Sequence, residues 1–156
     1  MVTSRDSKKF FKNPYMNKIF GLGRRKRAVA NVQVKLGSGL WQINNQSEDI
    51  YFKKQPLLVS VIKLPLKKIQ AENKYDISVK VNGGGLVGQA YAIRLGIARS
   101  LSTKFKVVGE ASSFGNVEEN RLIFRQENYL TRDPRVKERY KYGRKKARKS
   151  PQFSKR

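Results

Sequence analysis

The sequence predicts an α+β domain carrying a basic arm at each end, and three observations point there. Apolar residues alternate at period two in short segments, the mark of strands half-buried in a sheet. The segment from Leu86 to Phe105 instead repeats apolar residues at steps of three and four, the mark of an amphipathic helix. The cations crowd the two ends of the chain. Residues 1–27 hold nine basic and one acidic residue, and residues 132–156 hold twelve basic and two acidic. The 104 residues between them hold fourteen basic and eight acidic, an ordinary balance for a folded domain. Over all 156 residues the formal charge is +24. A near-neutral core between cationic arms is suited to a polyanion. The chain divides accordingly into a basic arm (1–20), a globular α/β domain (21–130) and a basic tail (131–156).

The elements follow in order. Gly21-Leu22-Gly23 leads into the basic run Arg24-Arg25-Lys26-Arg27. Ala28, Ala30, Val32, Val34 and Leu36 then recur at period two, with Asn31, Gln33 and Lys35 on the other face, which reads as a strand. Gly37-Ser38-Gly39 has hairpin-turn length, and Leu40 to Ile43 is expected to be the returning strand. Ser47 ahead of Glu48 and Asp49 reads as the N-cap of a short helix to Phe52. Residues 56–70 are partly helical in spacing, and Pro65 is expected to interrupt any single long helix there. Tyr75, Ile77, Val79 and Val81 form the apolar face of a further strand. Leu86, Ala90, Ile93, Ile97, Leu101 and Phe105 form the helical stripe, with Arg94 and Lys104 off it. Asn116 reads as a second N-cap, opening a helix to about Gln126. Its acids Glu118 and Glu119 suit the positive end of a helix dipole better than a catalytic pair. From Thr131 onward apolar periodicity stops, and so basic a stretch alone cannot offset its ordering entropy. Fully extended, it would reach on the order of 80 Å.

With no cysteine and no histidine, the chain can offer no thiolate nucleophile, disulfide or Cys/His metal site, and it lacks the commonest general base. No apolar run approaches the ~20 residues of a membrane span, and the N-terminus lacks a secretory apolar stretch. No cofactor, membrane or small-molecule substrate is expected.

One motif argues the other way. Asn82-Gly83-Gly84-Gly85-Leu86-Val87-Gly88-Gln89 follows a strand and opens a helix, and Gly83, Gly85 and Gly88 match the dinucleotide fingerprint G-x-G-x-x-G. Glu110, ending the run Phe105-Lys106-Val107-Val108, stands near where an acid would hold a ribose hydroxyl. Against this, only 46 residues follow Glu110, too few for a doubly wound sheet with a 25-residue tail among them. Two readings of the loop remain. Glycines can let a helix start pack tightly against its neighbours. They can also let the free N–H groups of that helix start approach a nucleic-acid phosphate, the reading favoured by cations on both sides.

Four motifs carry a family resemblance. They are G-R-R-K-R-A-V-A (Gly23–Ala30), G-G-G-L-V-G-Q-A (Gly83–Ala90) with A-I-R-L-G-I-A-R (Ala92–Arg99), L-T-R-D-P-R (Leu130–Arg135), and K-Y-G-R-K-K-A-R-K-S-P-Q-F-S-K-R (Lys141–Arg156). In this order the chain closely resembles small-subunit ribosomal protein nine of the bacterial and organellar type. The resemblance implies a compact two-layer α+β fold like the second domain of small-subunit ribosomal protein five. That fold has a mixed four-stranded sheet with helices on one face, a left-handed βαβ crossover against the usual rule, and a long extended basic C-terminal tail. It implies a structural, non-enzymatic place in the head of the small ribosomal subunit, bound to its rRNA and to neighbouring head proteins. It further implies that the end of the tail, Ser154, Lys155 and Arg156, touches the anticodon stem-loop of peptidyl-site tRNA. Arg27 and Arg144 depart from common family residues by adding charge, and Val108–Leu122 fits the family less well.

The rRNA-binding residues expected are Arg24, Arg25, Lys26 and Arg27; Gly83, Gly84, Gly85 and Gln89 of the loop; and Arg94, with Arg99 a weaker case. In the tail they are Arg132, Arg135, Arg139, Lys141, Tyr142, Arg144, Lys145, Lys146, Arg148 and Lys149. Cations release counterions from RNA, arginine adds bidentate phosphate contact, and Tyr140, Tyr142 and Phe153 offer rings for stacking. The rival readings are a free, histone-like nucleic-acid-binding protein and a dinucleotide-binding enzyme. The tail motifs and the richness in Asn, Ile and Lys suit a plastid ribosome, with the bacterial cytoplasm or another organelle as the alternative.

Overall fold

Four strands pair into one mixed sheet: β1 (Lys18–Arg25), β2 (Ala28–Leu36), β3 (Trp41–Ile43) and β4 (Tyr75–Asn82), in the order β1-β2-β4-β3. The helices are α1 (Glu48–Tyr51), α2 (Pro56–Lys68), α3 (Leu86–Leu101) and α4 (Val117–Gln126). This computed structural model describes residues 18–53, 55–103 and 117–154. The expected Asn116 cap, the run from Phe105 to Glu110, and Lys155 and Arg156 lie outside the described residues. β2 runs antiparallel to both β1 and β4, and β3 is parallel to β4. The parallel pair is joined through α1 and α2.

The period-two pattern sorts the two sheet faces. Ala28, Ala30, Val32 and Val34 of β2 and Ile77, Val79 and Val81 of β4 are buried. They share one core with Leu58, Ile62 and Leu66 of α2 and Ala90, Ile93 and Ile97 of α3, closed by Phe52 and Phe124. Phe20, Asn31, Lys35, Gln42 and Lys80 on the other face are exposed. The helices thus cover one face only, the two-layer α+β arrangement that the resemblance implies.

β1 had no counterpart in the strand pattern read from sequence, and it begins two residues before the arm's expected end at residue 20. Its inward positions are Ile19, Gly21 and Gly23, while Phe20 and Leu22 point outward. A Cβ on Gly21 would stand 2.1 Å from the Gly96 carbonyl oxygen, and one on Gly23 only 1.8 Å from that of Ala92. The two glycines let the strand lie directly on the backbone of α3. Arg99 ties the same pair, donating from Nη1 to the Leu22 carbonyl at 3.0 Å.

Two further expectations are corrected. Gly37–Gly39 is not a hairpin turn, because β3 pairs with β4 and not with β2. The buried carboxylate of Asp76 redirects the chain: its Oδ1 accepts the N–H groups of Ser38, Gly39 and Leu40 at 2.9, 3.1 and 3.0 Å. Only glycine fits at 37, where a Cβ would stand 2.1 Å from the Asp76 carboxyl carbon. Asn44 then continues β3 with its side chain, whose amide exchanges two 2.9 Å hydrogen bonds with the backbone of Val81. Nor does Pro65 break α2, which runs unbroken over 13 residues. The proline stands in the last helical turns, where one missing hydrogen bond is offset by full burial of its ring. Ser47 does stand at the N-cap of α1, but its side chain makes no capping hydrogen bond.

Asp76→Ala is therefore expected to cost about 2–3 kcal/mol, since three donors lose one charged acceptor. The Leu40 N–H first, and then Ser38 and Lys35, hold the Asp76 carboxyl below its ordinary value. Its contribution is thus complete above the unfolded value, about pH 4, and drains away as pH falls through the lowered folded value. Urea midpoints of wild type and Asp76→Ala should differ at pH 6 and draw together as pH falls below about 4.

Candidate nucleic-acid interface

β1 and β2 are joined by the tightest possible link, Lys26 and Arg27, with Arg25 opposite Ala28 in the register. Lys26 takes a left-handed φ of 51° in this turn, and Arg24, Lys26 and Arg27 are exposed. The glycine loop between β4 and α3 lies against it. Gly83 and Gly84 have φ of +72° and +69°, which side chains rarely adopt. A Cβ on Gly83 would stand 2.7 Å from the Arg27 carbonyl oxygen, and one on Gly84 3.0 Å from the Ala28 nitrogen. Gly85, the N-cap of α3, differs: its φ is −101° and nothing lies within 4 Å of its Cβ position. The first two glycines therefore serve close packing, while the third faces open space at the start of a helix.

The loop is held by Gln89. Its Nε2 donates to the Gly83 carbonyl at 3.1 Å, and its Oε1 accepts the Tyr51 hydroxyl at 2.9 Å. Burial is the main reason that hydroxyl's pKa is raised. Gln89, expected at RNA, has both ends of its amide engaged by these two bonds. The N–H groups of Leu86, Val87 and Gly88 precede the first helical bond, Gln89 N–H to Gly85, and have no helical acceptor. Among the described residues no strand follows α3, so the parallel partner that a dinucleotide site requires is not found there.

The tail reaches the same end of the molecule. After α4 the Tyr129 N–H returns to the Phe124 carbonyl at 2.9 Å, and Tyr129 packs on Phe124 in the core. Arg94 lies between the rings of Tyr91 and Tyr129, with its guanidinium carbon 4.7 and 4.9 Å from their centroids. Asp133 then acts as the hinge. Its Oδ1 accepts the Arg135 N–H at 2.9 Å and its Oδ2 pairs with Arg25 at 2.5 Å. The Arg135 N–H, ahead of the charges of Arg135 and Arg25, lowers the Asp133 pKa. From there residues 136–140 run past the glycine loop. Arg25, Lys26 and Arg27, Gly84 to Gly88, and Val136 to Tyr140 line one open cleft of about 810 Å³.

Three cationic or glycine-rich segments picked out in the sequence therefore meet: 24–27, 83–89 and the start of the tail. The cleft lining ends at Tyr140, and Lys141 to Lys149 and Ser154 take no part in it. Glu138 and Arg148 form a bidentate pair, Nε to Oε2 at 2.9 Å and Nη2 to Oε1 at 2.5 Å. Residues 127–154 contain no helix or strand, yet this pair folds 138–150 back on itself, so the segment is shorter than its full extension. Tyr142 and Phe153 are exposed at 106% and 97%, so neither ring contributes to the protein's own core. Sequence reasoning missed Asp133, Val136, Lys137 and Glu138. The Asp-Pro step, a turn former, was the available signal for the first.

The surface is thus a cationic cleft beside a helix start. Comparison with known proteins gives the family. The family model described as ribosomal protein S9/S16 matches residues 23–156. The small ribosomal subunit protein uS9 of Thermosynechococcus vestitus is 49% identical over 136 residues, covering 87% of this chain and 90% of that protein. Those of Nostoc punctiforme and Microcystis aeruginosa are each 47% identical over 137 residues, covering 88% of this chain and 91% of theirs.

Proposed function

The chain belongs to the ribosomal protein S9/S16 family, and from that premise we propose how it serves the small ribosomal subunit. It is a structural, non-enzymatic constituent of that subunit. It binds small-subunit rRNA through the cleft of Arg25–Arg27, Gly85 and the α3 N-terminus, through Arg24 beside it, and through the tail. The observation that carries this reading is the meeting, on one cleft, of basic segments more than a hundred residues apart. A helix start and clustered cations together suit phosphate, while the exposed rings of Tyr142 and Phe153 suit bases.

The cations divide by role. Arg25, Arg94 and Arg148 hold the fold or the tail through Asp133, two tyrosine rings and Glu138, and add positive potential rather than direct contacts. Arg24, Lys26, Arg27, Arg132, Lys141, Lys145, Lys146 and Lys149 make no ion pair among the described residues and meet phosphate directly. Ser154, Lys155 and Arg156, by the resemblance, reach the anticodon stem of peptidyl-site tRNA, and neighbouring head proteins complete the surroundings. The cyanobacterial relatives suit a plastid ribosome.

Reconstitution tests both levels. Small subunits assembled without this protein are supplied with the full chain or with a chain ending at Phe153. Both should incorporate, and the shorter one should weaken peptidyl-site tRNA binding. Failure of either chain to incorporate overturns the assembly role. Unchanged tRNA affinity with the shorter chain overturns the tRNA contact.

A further inference from the structure

Glu138 is the one acid after Asp133, in a stretch otherwise rich in Lys and Arg. An acid there opposes phosphate binding unless it does something else. Its carboxylate accepts two hydrogen bonds from Arg148, ten residues on, in the fork-to-fork geometry that most restricts direction. Those hydrogen bonds, and after them the charge of Arg148, hold Glu138 below its ordinary value.

Inside this closure the chain is turned by its own bonds. The Arg144 N–H donates to the Lys141 carbonyl at 3.3 Å, and Gly143 between them takes a φ of +73°. The Lys145 N–H donates to the Lys149 carbonyl at 2.9 Å. Arg144 Nη1 donates to the Arg148 carbonyl at 2.6 Å and reaches the Ser150 hydroxyl at 3.3 Å. Arginines 144 and 148 are thus spent on the loop's shape, and Lys141, Tyr142, Lys145 and Lys146 remain exposed around it.

We infer that residues 138–150 are a preformed RNA-binding loop whose shape Glu138 holds as a positioning residue. Its ligand is an unpaired base stacked on Tyr142, with the flanking phosphates on the three lysines. This rests on the RNA-binding reading above and deepens it. An exposed ion pair adds little to stability, so its effect lies elsewhere. It removes conformations that the loop would otherwise lose on binding, which favours the bound state.

The test turns on a difference of sign. Glu138→Gln raises the net charge by one, so electrostatics alone predicts tighter binding to every RNA. The preformed loop predicts the reverse for a structured target. In the full chain, Glu138→Gln is expected to bind purified small-subunit rRNA about three- to ten-fold more weakly. Its affinity for poly(U) should be unchanged or higher. Exchanging the partners, Glu138→Arg with Arg148→Glu, keeps the net charge and should recover rRNA binding. Equal or tighter rRNA binding by Glu138→Gln overturns the proposal, as does failure of the exchanged pair to recover.

NMR contacts between residues 138 and 148, read without RNA, report the loop by itself. They should be present in wild type and lost in Glu138→Gln, and their absence from wild type overturns the loop. Wild type that shows these contacts yet binds rRNA no better than poly(U) overturns the RNA reading instead.

Discussion

Gly23→Ala is expected to destabilise the domain by about 3 kcal/mol, at the upper end of overpacking costs. The new methyl group would stand 1.8 Å from the Ala92 carbonyl oxygen and 2.7 Å from the Gly96 nitrogen. Both are backbone atoms of α3, so no side chain can swing aside to make room. Either α3 lifts from β1 or β1 leaves the sheet, and both movements open the core around Val32 and Ile97. Against a total stability of ~5–15 kcal/mol, that loss is a large fraction. Gly88→Ala is the control of opposite sign. It sits in the first turn of α3, and its added Cβ meets nothing closer than 3.6 Å. It should stabilise the helix by up to about 1 kcal/mol. Urea midpoints at constant slope measure both, and a Gly23→Ala midpoint equal to wild type would refute this account of the β1–α3 contact.

RNA affinity should fall by roughly three orders of magnitude between about 50 and 200 mM salt. About eight cations stand ready for phosphate, and at ~0.7 released counterions per contact the slope of log K on log salt is about −5 to −6. The sequence alone suggests a steeper slope, because it counts cations without regard to their partners in the protein. Arg25, Arg94, Arg99, Arg144 and Arg148 already have protein partners: Asp133, two tyrosine rings, the Leu22 carbonyl, the Arg148 carbonyl and Glu138. Fluorescence titration of purified small-subunit rRNA over that salt range gives the slope directly. A value shallower than about −2 would mean that few phosphates are met.

The difference between those two counts shows where local reading stops. β2, β4, α3 and α4 were legible because each buries one face, and burial writes its period into the residue order. β1 was not, because its pattern is inverted. Its apolar Phe20 and Leu22 face out, while its inward positions are glycines chosen for their lack of a side chain. Its hairpin turn, Lys26-Arg27, has none of the Asn-Gly chemistry by which such turns are recognised. The pairing of β3 was misjudged for a different reason. Gly37-Ser38-Gly39 resembles a hairpin turn until Asp76, nearly forty residues later, takes its N–H groups. The glycine loop was read correctly as a place of close approach. Yet for Gly83 and Gly84 the partner approached is the backbone of Arg27 and Ala28, and only Gly85 faces outward.

By itself the sequence determined the distribution of charge, the absence of thiol and imidazole chemistry, the family motifs, and the faces of the regular elements. Those properties follow from composition and from the spacing of near neighbours. Tertiary structure decided the order of the strands, the place of the cleft, and which cations have a partner within the protein. Each of these depends on groups that meet through space from distant parts of the chain, as Arg25 meets Asp133. An ion pair of that kind leaves no periodicity in the sequence, because nothing near either residue records which partner it will find.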